Sequence, residues 1–246
     1  MRPEIKLVFA AFFALLLMPG LAAFAAQHPS APAAPENDKD KVLERLNIAA
    51  RNFHTASADF EFDTIETDPI YDKDVQTGAV YYERKDNSFQ MGVHIAAHDH
   101  KPSPKVYTYG NGAFKLFEPG IDQVTTFAKA NRFESYVMLG FGASGKDLEA
   151  MWNIKDLGSE KIEDGKTSVK TEILELVAKD PEVRKNLSKV TIWVDPDRAV
   201  SLKQVLNFGS SNTRISLYSN IKVNQKSIPG DAFTFKTDRQ TQYRTQ

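Results

Sequence analysis

Between Gly78 and Phe127 five short segments of alternating polarity follow one another, and this run constrains the fold more than any other feature. Phe89, Met91, Val93 and Ile95 alternate with Gln90, Gly92, His94 and Ala96. That is the period of a strand with one face toward an apolar interior. Val80 and Tyr82 share a face in the strand before, as Phe114 and Leu116 do further on. Lys85-Asp86-Asn87, Gly110-Asn111-Gly112 and Pro119-Gly120 are turn sequences, and links this short force antiparallel neighbours. The sheet therefore has an apolar side that something must cover.

The flanking sequence supplies both more sheet and candidate covers. A helix capped by Asn37 or Asp38 and running to about His54 carries Val42, Leu46, Ala49, Ala50 and Phe53 on one stripe. Ser57–Glu66 follows as a strand, with Ala58, Phe60, Phe62 and Thr64 on one side and Asp59, Glu61 and Asp63 on the other. The meander strands lie near Gln76–Glu83, Ser88–Ala96, Lys105–Tyr109, Ala113–Phe117 and Asp122–Phe127. Two short helices, Asn131–Leu139 and Lys146–Met151, are expected around a glycine-rich corner, Gly140 to Gly145. Strands resume at Ile154–Ile162, Thr167–Ala178, Ser188–Asp195, Ala199–Phe208 and Arg214–Val223, with a last one at Phe233–Phe235. The result is a mainly β (α+β) domain of about eleven strands, nearly all antiparallel, and a sheet this large must close or be filled. The helices are the available filler. No repeat of fixed period is visible, which argues against a propeller or solenoid.

The ends of the chain bear on its compartment. Arg2 and Lys6 precede an unbroken apolar run from Leu7 to Met18, and Ala23-Phe24-Ala25 has the form of a cleavage site. Residues 1–25 thus read as a secretory signal peptide cut after about Ala25, since an apolar run this short falls well under the ~20 residues that span a bilayer. Residues 26–37, rich in proline and alanine, read as an extended tether, and residues 38–246 as one domain. There is no cysteine, so neither a lipid-modified cysteine nor a disulfide is expected. Acidic and basic residues are interleaved at a formal net charge of -1, and nothing points to a nucleic-acid partner.

Candidate chemistry is sparse. Gly140 to Lys146 has the spacing of a phosphate-binding loop, but Asp147 stands where a hydroxyl should hold magnesium, and no buried parallel strand precedes it. His94, His98 and His100, with Asp99, offer metal donors without a second cluster to converge on them, so no metal is expected. No nucleophile elbow is present, and the alternating Asp59, Glu61 and Asp63 form a solvated face, not an acid–base pair. No catalytic residue, cofactor or enzymatic activity is expected.

Two features carry more weight. Arg84 ends a strand beside a turn and is placed either to reach over the sheet rim toward a carbonyl or phosphate, or to stay solvated near Glu83 and Asp86. The aromatic set Phe60, Phe62, Tyr82, Phe89, Tyr107, Tyr109, Phe114 and Phe117, with Trp152, Trp193 and Phe208, is either plain core or the lining of a concavity that few helices can fill.

Three segments carry a family resemblance. Gly78-Ala79-Val80-Tyr81-Tyr82-Glu83-Arg84 is like a G-x-hydrophobic-x-hydrophobic-x-R strand, Tyr109 to Pro119 is like a D-G-x-x-hydrophobic-x-x-Y-x-P hairpin, and Phe233-Thr234-Phe235 is like a closing F-x-F. In this order, from about Lys39 to Thr237, the chain resembles the periplasmic lipoprotein carriers of the LolA type. The resemblance implies an unclosed half-barrel with an N-terminal helix and a short helical insert as lid. It also implies a monomer whose cavity shelters the acyl chains of a lipoprotein or another lipid, between an inner-membrane release complex and an outer-membrane acceptor. Phe60, Phe62, Val80, Tyr82, Phe89, Met91, Val93, Phe114 and Leu116 would line that cavity, and Arg84 would hold the lid. Relatives of this fold that restrain an envelope-stress pathway by binding a membrane-anchored protein give the alternative. The chain departs from the pattern at Lys85-Asp86-Asn87, where the family has proline, and at Asn111, which stands for aspartate.

Overall fold

A computed structural model describes residues 37–85, 88–127 and 139–245. The expected signal peptide, nearly all of the tether, and the expected helix at Asn131–Leu139, except Leu139, lie outside these residues.

Helix α1 (Asn37–Arg51) opens with Asp38 and Asp40 and closes on Arg51, charges that match the two ends of its dipole. Its buried residues are Val42, Leu43, Leu46 and Ala50; of the expected stripe, Ala49 is half-buried and Phe53 is buried just past the helix end, while Leu43 is an addition. Strands β1 (Thr55–Glu66), β2 (Asp72–Lys85), β3 (Ser88–His98), β4 (Lys101–Gly110), β5 (Ala113–Glu118) and β6 (Gln123–Phe127) follow. After α2 (Gly145–Met151) come β7 (Trp152–Asp164), β8 (Thr167–Ala178), α3 (Pro181–Asn186), β9 (Lys189–Asp195), β10 (Val200–Phe208), β11 (Asn212–Val223) and β12 (Gln242–Thr245).

These strands make one twelve-stranded sheet in the order β12-β6-β5-β4-β3-β2-β1-β11-β10-β9-β8-β7. The two edges, β12 and β7, do not pair, so the half-barrel is unclosed. Every neighbouring pair is antiparallel except β12 with β6. Directly paired residues point to the same side of a sheet. Leu174, Ile192, Gln204, Ser216, Phe62 and Gln76 therefore form one row across six strands, and this side is the inner face. Register shifts in β1, β3, β7 and β10 bend the sheet around it. The curl is strong enough that Asp164 at the end of β7 accepts a 2.9 Å hydrogen bond from the Ile221 N–H of β11, although three strands lie between them in the sheet.

Two clusters fill the inner face. Over β7–β10 the core is mostly aliphatic: Leu174, Leu176, Val190, Ile192 and Val194 pack with Trp152 beneath Val42, Leu43 and Leu46 of α1 and Leu148 of α2. The backbones of α1 and α2 approach closely, since a Cβ on Gly145 would overlap Leu43 O. Over β1–β5 and β11 the core is largely aromatic.

Some expectations need correction. Phe233–Phe235 is not a strand. The segment crosses the outer face instead, with Ala232 fully buried, its carbonyl 3.1 Å from His94 Nε2, and Phe235 stacked on Phe117 at 5.1 Å. A Cβ on Gly92 would overlap Ala232 O, so only glycine admits this crossing. The last strand is β12, too short and polar to show a periodic pattern. Helix α3 had no apolar stripe to announce it, but Asp180 caps it by accepting from Glu182 N at 2.8 Å, with Pro181 at the first helical position. Strand β4 starts earlier than expected because Pro102 sits beside the register shift at Ala97, where a missing N–H costs no ladder bond.

Candidate functional site

The candidate site is the inner face of β1–β5 and β11. Ala56, Ala58, Phe60 and Phe62 alternate along β1 and pair with Tyr82, Val80, Gly78 and Gln76 of β2, so period and register together set the aromatic surface. Phe89, Met91, Val93, Phe114 and Leu116 extend it, and all nine expected lining residues are buried in this one cluster with Tyr107, Tyr109 and Tyr218. Four aromatics of the expected set lie elsewhere. Phe117 is on the outer face, Trp152 belongs to the aliphatic cluster, Phe208 packs against that cluster, and Trp193 lies under Lys203 Nζ at 4.3 Å.

The glycine-rich corner supplies the cover. Gly140 O accepts from Ser201 N at 2.6 Å, and Gly142 N donates to Ala199 O at 2.8 Å, which fastens the corner to the start of β10. Gly140 and Gly142 have φ of +93° and +74°, a backbone state that favours glycine. Between them Phe141 turns inward, fully buried, stacked on Tyr82 at 4.2 Å and edge-on to Tyr218 at 5.0 Å. Sequence reasoning missed Phe141. The available signal was a large aromatic between two turn-forming glycines. Asp147, the residue that breaks the phosphate-loop pattern, belongs instead to the capping box of α2 with Ser144.

Arg84 stands where these parts meet. Its backbone N–H donates to His54 O at 2.7 Å, its Nη1 to Ala50 O at 3.1 Å and its Nη2 to Gly142 O at 2.9 Å. Its guanidinium carbon lies 5.9 Å from the centre of the Phe53 ring. One half-buried guanidinium thus joins the C-terminal end of α1, where carbonyls lack helical partners, to the loop that carries Phe141. The carbonyl-holding option is the one realised.

The interior phenols stay neutral. Burial pushes the Tyr82 and Tyr107 hydroxyls well above their usual range and the Tyr218 hydroxyl up to about 12. The three histidines weighed as metal donors point different ways: His94 turns to the outer face beside Ala232, and His100 is exposed. His98 instead meets Asp74, a residue that sequence reasoning missed, with Asp99 adjacent. Those carboxylates already accept from the Gln76 side chain at 3.2 Å and from Val75 N at 3.1 Å.

No protein-family model matches the sequence, and no curated protein matches it. Solved structures similar to it include MucB, at 10% identity and a TM-score of 0.49 over 85% of this chain and 66% of that one. The MucA/MucB complex of Pseudomonas aeruginosa gives 12% and 0.49 over 81% and 61%. A LolA superfamily protein from Nitrosomonas europaea gives 14% and 0.39 over 80% and 97%. This chain spans just under two thirds of the length of the MucB chains it matches. These likenesses concern fold alone.

Proposed function

We propose that the protein is an exported, non-enzymatic carrier that shelters acyl chains of a lipoprotein or another lipid on the inner face of β1–β5, and that the arrangement described is its shut form. The observation that supports this most is the way the cover is held. Phe141 fills the aromatic surface like a stopper, and its loop is tied down by Arg84 through hydrogen bonds to main-chain carbonyls at 2.9 and 3.1 Å. An acyl chain in water costs about 0.8 kcal/mol per exposed CH₂, so a multi-chain anchor needs an apolar shelter to leave a membrane. A shelter that must also empty is best closed by contacts that exchange readily with water. Hydrogen bonds from a charged donor, each of about 1.5–3 kcal/mol when made and largely replaced by water when broken, have that property.

Native mass spectrometry of protein taken from its own periplasm should find acylated cargo. Arg84→Leu should stay folded but pass its cargo on more slowly, because the shutting force that expels the chains is gone. Unchanged transfer in a spheroplast release assay overturns the role given to Arg84. The filled interior also favours a second reading, a regulator that binds a membrane-anchored protein and carries no lipid. A cargo-free mass together with copurification of such a partner would select it.

A further inference from the structure

The inner face has two unlike ends. Arg84, Phe53 and Phe141 close the end where β1 begins, whereas toward the end of β1 the same face turns polar. There Thr64 pairs with Arg214 on one side and with Asp74 on the other, one row beyond Phe62, Ser216 and Gln76. Other polar groups at this end already have partners: Asp74 is engaged by Gln76 and His98, and Lys105 lies 3.4 Å from Glu118.

Arg214 differs from all of these. Its guanidinium carbon sits 4.4 Å from the centre of the Phe62 ring, against the aromatic surface. Its Nε is sealed from solvent and has no hydrogen-bond partner, and among the described residues no carboxylate reaches it. Asp74 is two strands away, roughly 10 Å across the ladder, and already engaged. Arg214 is half-buried, and a guanidinium with a sealed, unpartnered Nε and no adjacent counter-charge is costly, so the arrangement is stabilised when an anion arrives. The same burial lowers its affinity for its proton, against the smaller opposing influences of Tyr218, Tyr107, the more distant Asp74 carboxylate and Tyr82, though an arginine so shifted stays charged at neutral pH.

We infer that Arg214 is the head-group site of the cargo, taking the carboxylate or phosphate of an anionic amphiphile whose chain lies along Phe62, Phe60 and Val80 toward Phe141. The inference rests on the carrier reading and adds a polarity to it: head at the polar end, tail at the end Arg84 closes. The length fits. From Thr64 back to Ala56 the strand runs about 26 Å, whereas one acyl chain, half of a hydrocarbon core ~30 Å thick, needs about 15 Å. The planar fork of arginine suits both oxyanions, and its stacking on Phe62 leaves its edge to accept them. The turns at this end also carry exposed apolar tips, Ile70, Tyr71 and Ile121, which leave the mouth suited to approach a lipid surface.

The test compares oleate and lysophosphatidate with methyl oleate, which has the same chain and no charge, by fluorescence displacement. The intact protein should bind at least one of the two anions tenfold or more tighter than the ester, and which of them it prefers identifies the head group. Arg214→Gln should bring that ratio close to one while methyl oleate still binds, and Arg214→Lys should restore part of it. If Arg214→Gln does not fold, the wild-type ratio and the Arg214→Lys variant still decide. Equal binding of ester and anions by the intact protein, or a preference that survives Arg214→Gln, overturns the head-group site and leaves the carrier standing. Failure of all three amphiphiles to bind overturns both.

Discussion

One face of one sheet is covered in two different ways. Over β7–β10 it is aliphatic and lies beneath two helices, with Leu174, Leu176 and Val190 having no exposed surface. Over β1–β5 and β11 it is largely aromatic, and among the described residues its cover is two inserted side chains, Phe53 and Phe141, with the loop of Phe141 tied down by Arg84. Branched aliphatic side chains interlock beneath a helix and resist rearrangement. Flat rings stacked on one another have a smaller cost of parting, since each contact is broad and can be replaced by another flat or extended apolar group. On the proposed carrier reading, the first half stays shut and the second exchanges its contents.

Substitutions can break this contrast. The largest effect should come from Trp152→Ala in the aliphatic half, with a loss of about 3–5 kcal/mol in chemical denaturation and no new affinity for an apolar dye. Phe141→Ala removes a side chain that is equally buried, yet should cost about 3 kcal/mol at most and should add uptake of such a dye. Equal losses, with no dye bound by Phe141→Ala, would mean that the two halves are one ordinary core. The smallest effect concerns the outer fastening of α1, where Arg45 donates to Asp197 at 2.9 and 2.7 Å. The Arg45 hydrogen bond holds the Asp197 carboxyl below its ordinary range, against a smaller opposing effect of burial. Its contribution is therefore present above the ordinary carboxylate pKa and is lost as pH falls through the lowered folded value. Both groups are largely exposed, so Asp197→Asn should lower the melting temperature by only about a degree near neutrality, and the difference should vanish in strong acid. A difference that persists at low pH would remove the ion pair as its cause.

Much of this was legible in the chain because the information was local. Alternation in Phe89 to Ile95 and in Ala58 to Phe62 announced a sheet with one apolar face, and short turns announced its antiparallel order. What was not legible depended on register between distant strands. Arg214 precedes Ser216 and Tyr218 on a segment of mixed polarity, and only its pairing with Thr64, on the known inner side of β1, places it inside. Asp74 became visible by the same pairing. Phe233 and Phe235 were read as strand because spaced aromatics usually are; packing against Gly92 and Phe117 settled them on the outer side instead. Phe141 escaped notice because no periodicity surrounds a single residue between glycines.

The outer crossing at Gly92 has a mechanical consequence. The chain from Ala232 to Phe235 lies against the convex side of the meander, and its continuation joins the sheet as β12 along the edge of β6. A sheet braced from outside along several strands and hemmed at its edge cannot flatten without tearing both attachments. On the proposed reading, and among the described residues, entry to its concave side is then left to the loop that bears Phe141. Replacing Gly92 with alanine would lift the brace and soften the wall itself, so that the proposed rigid trough with its single stopper would become one that yields everywhere.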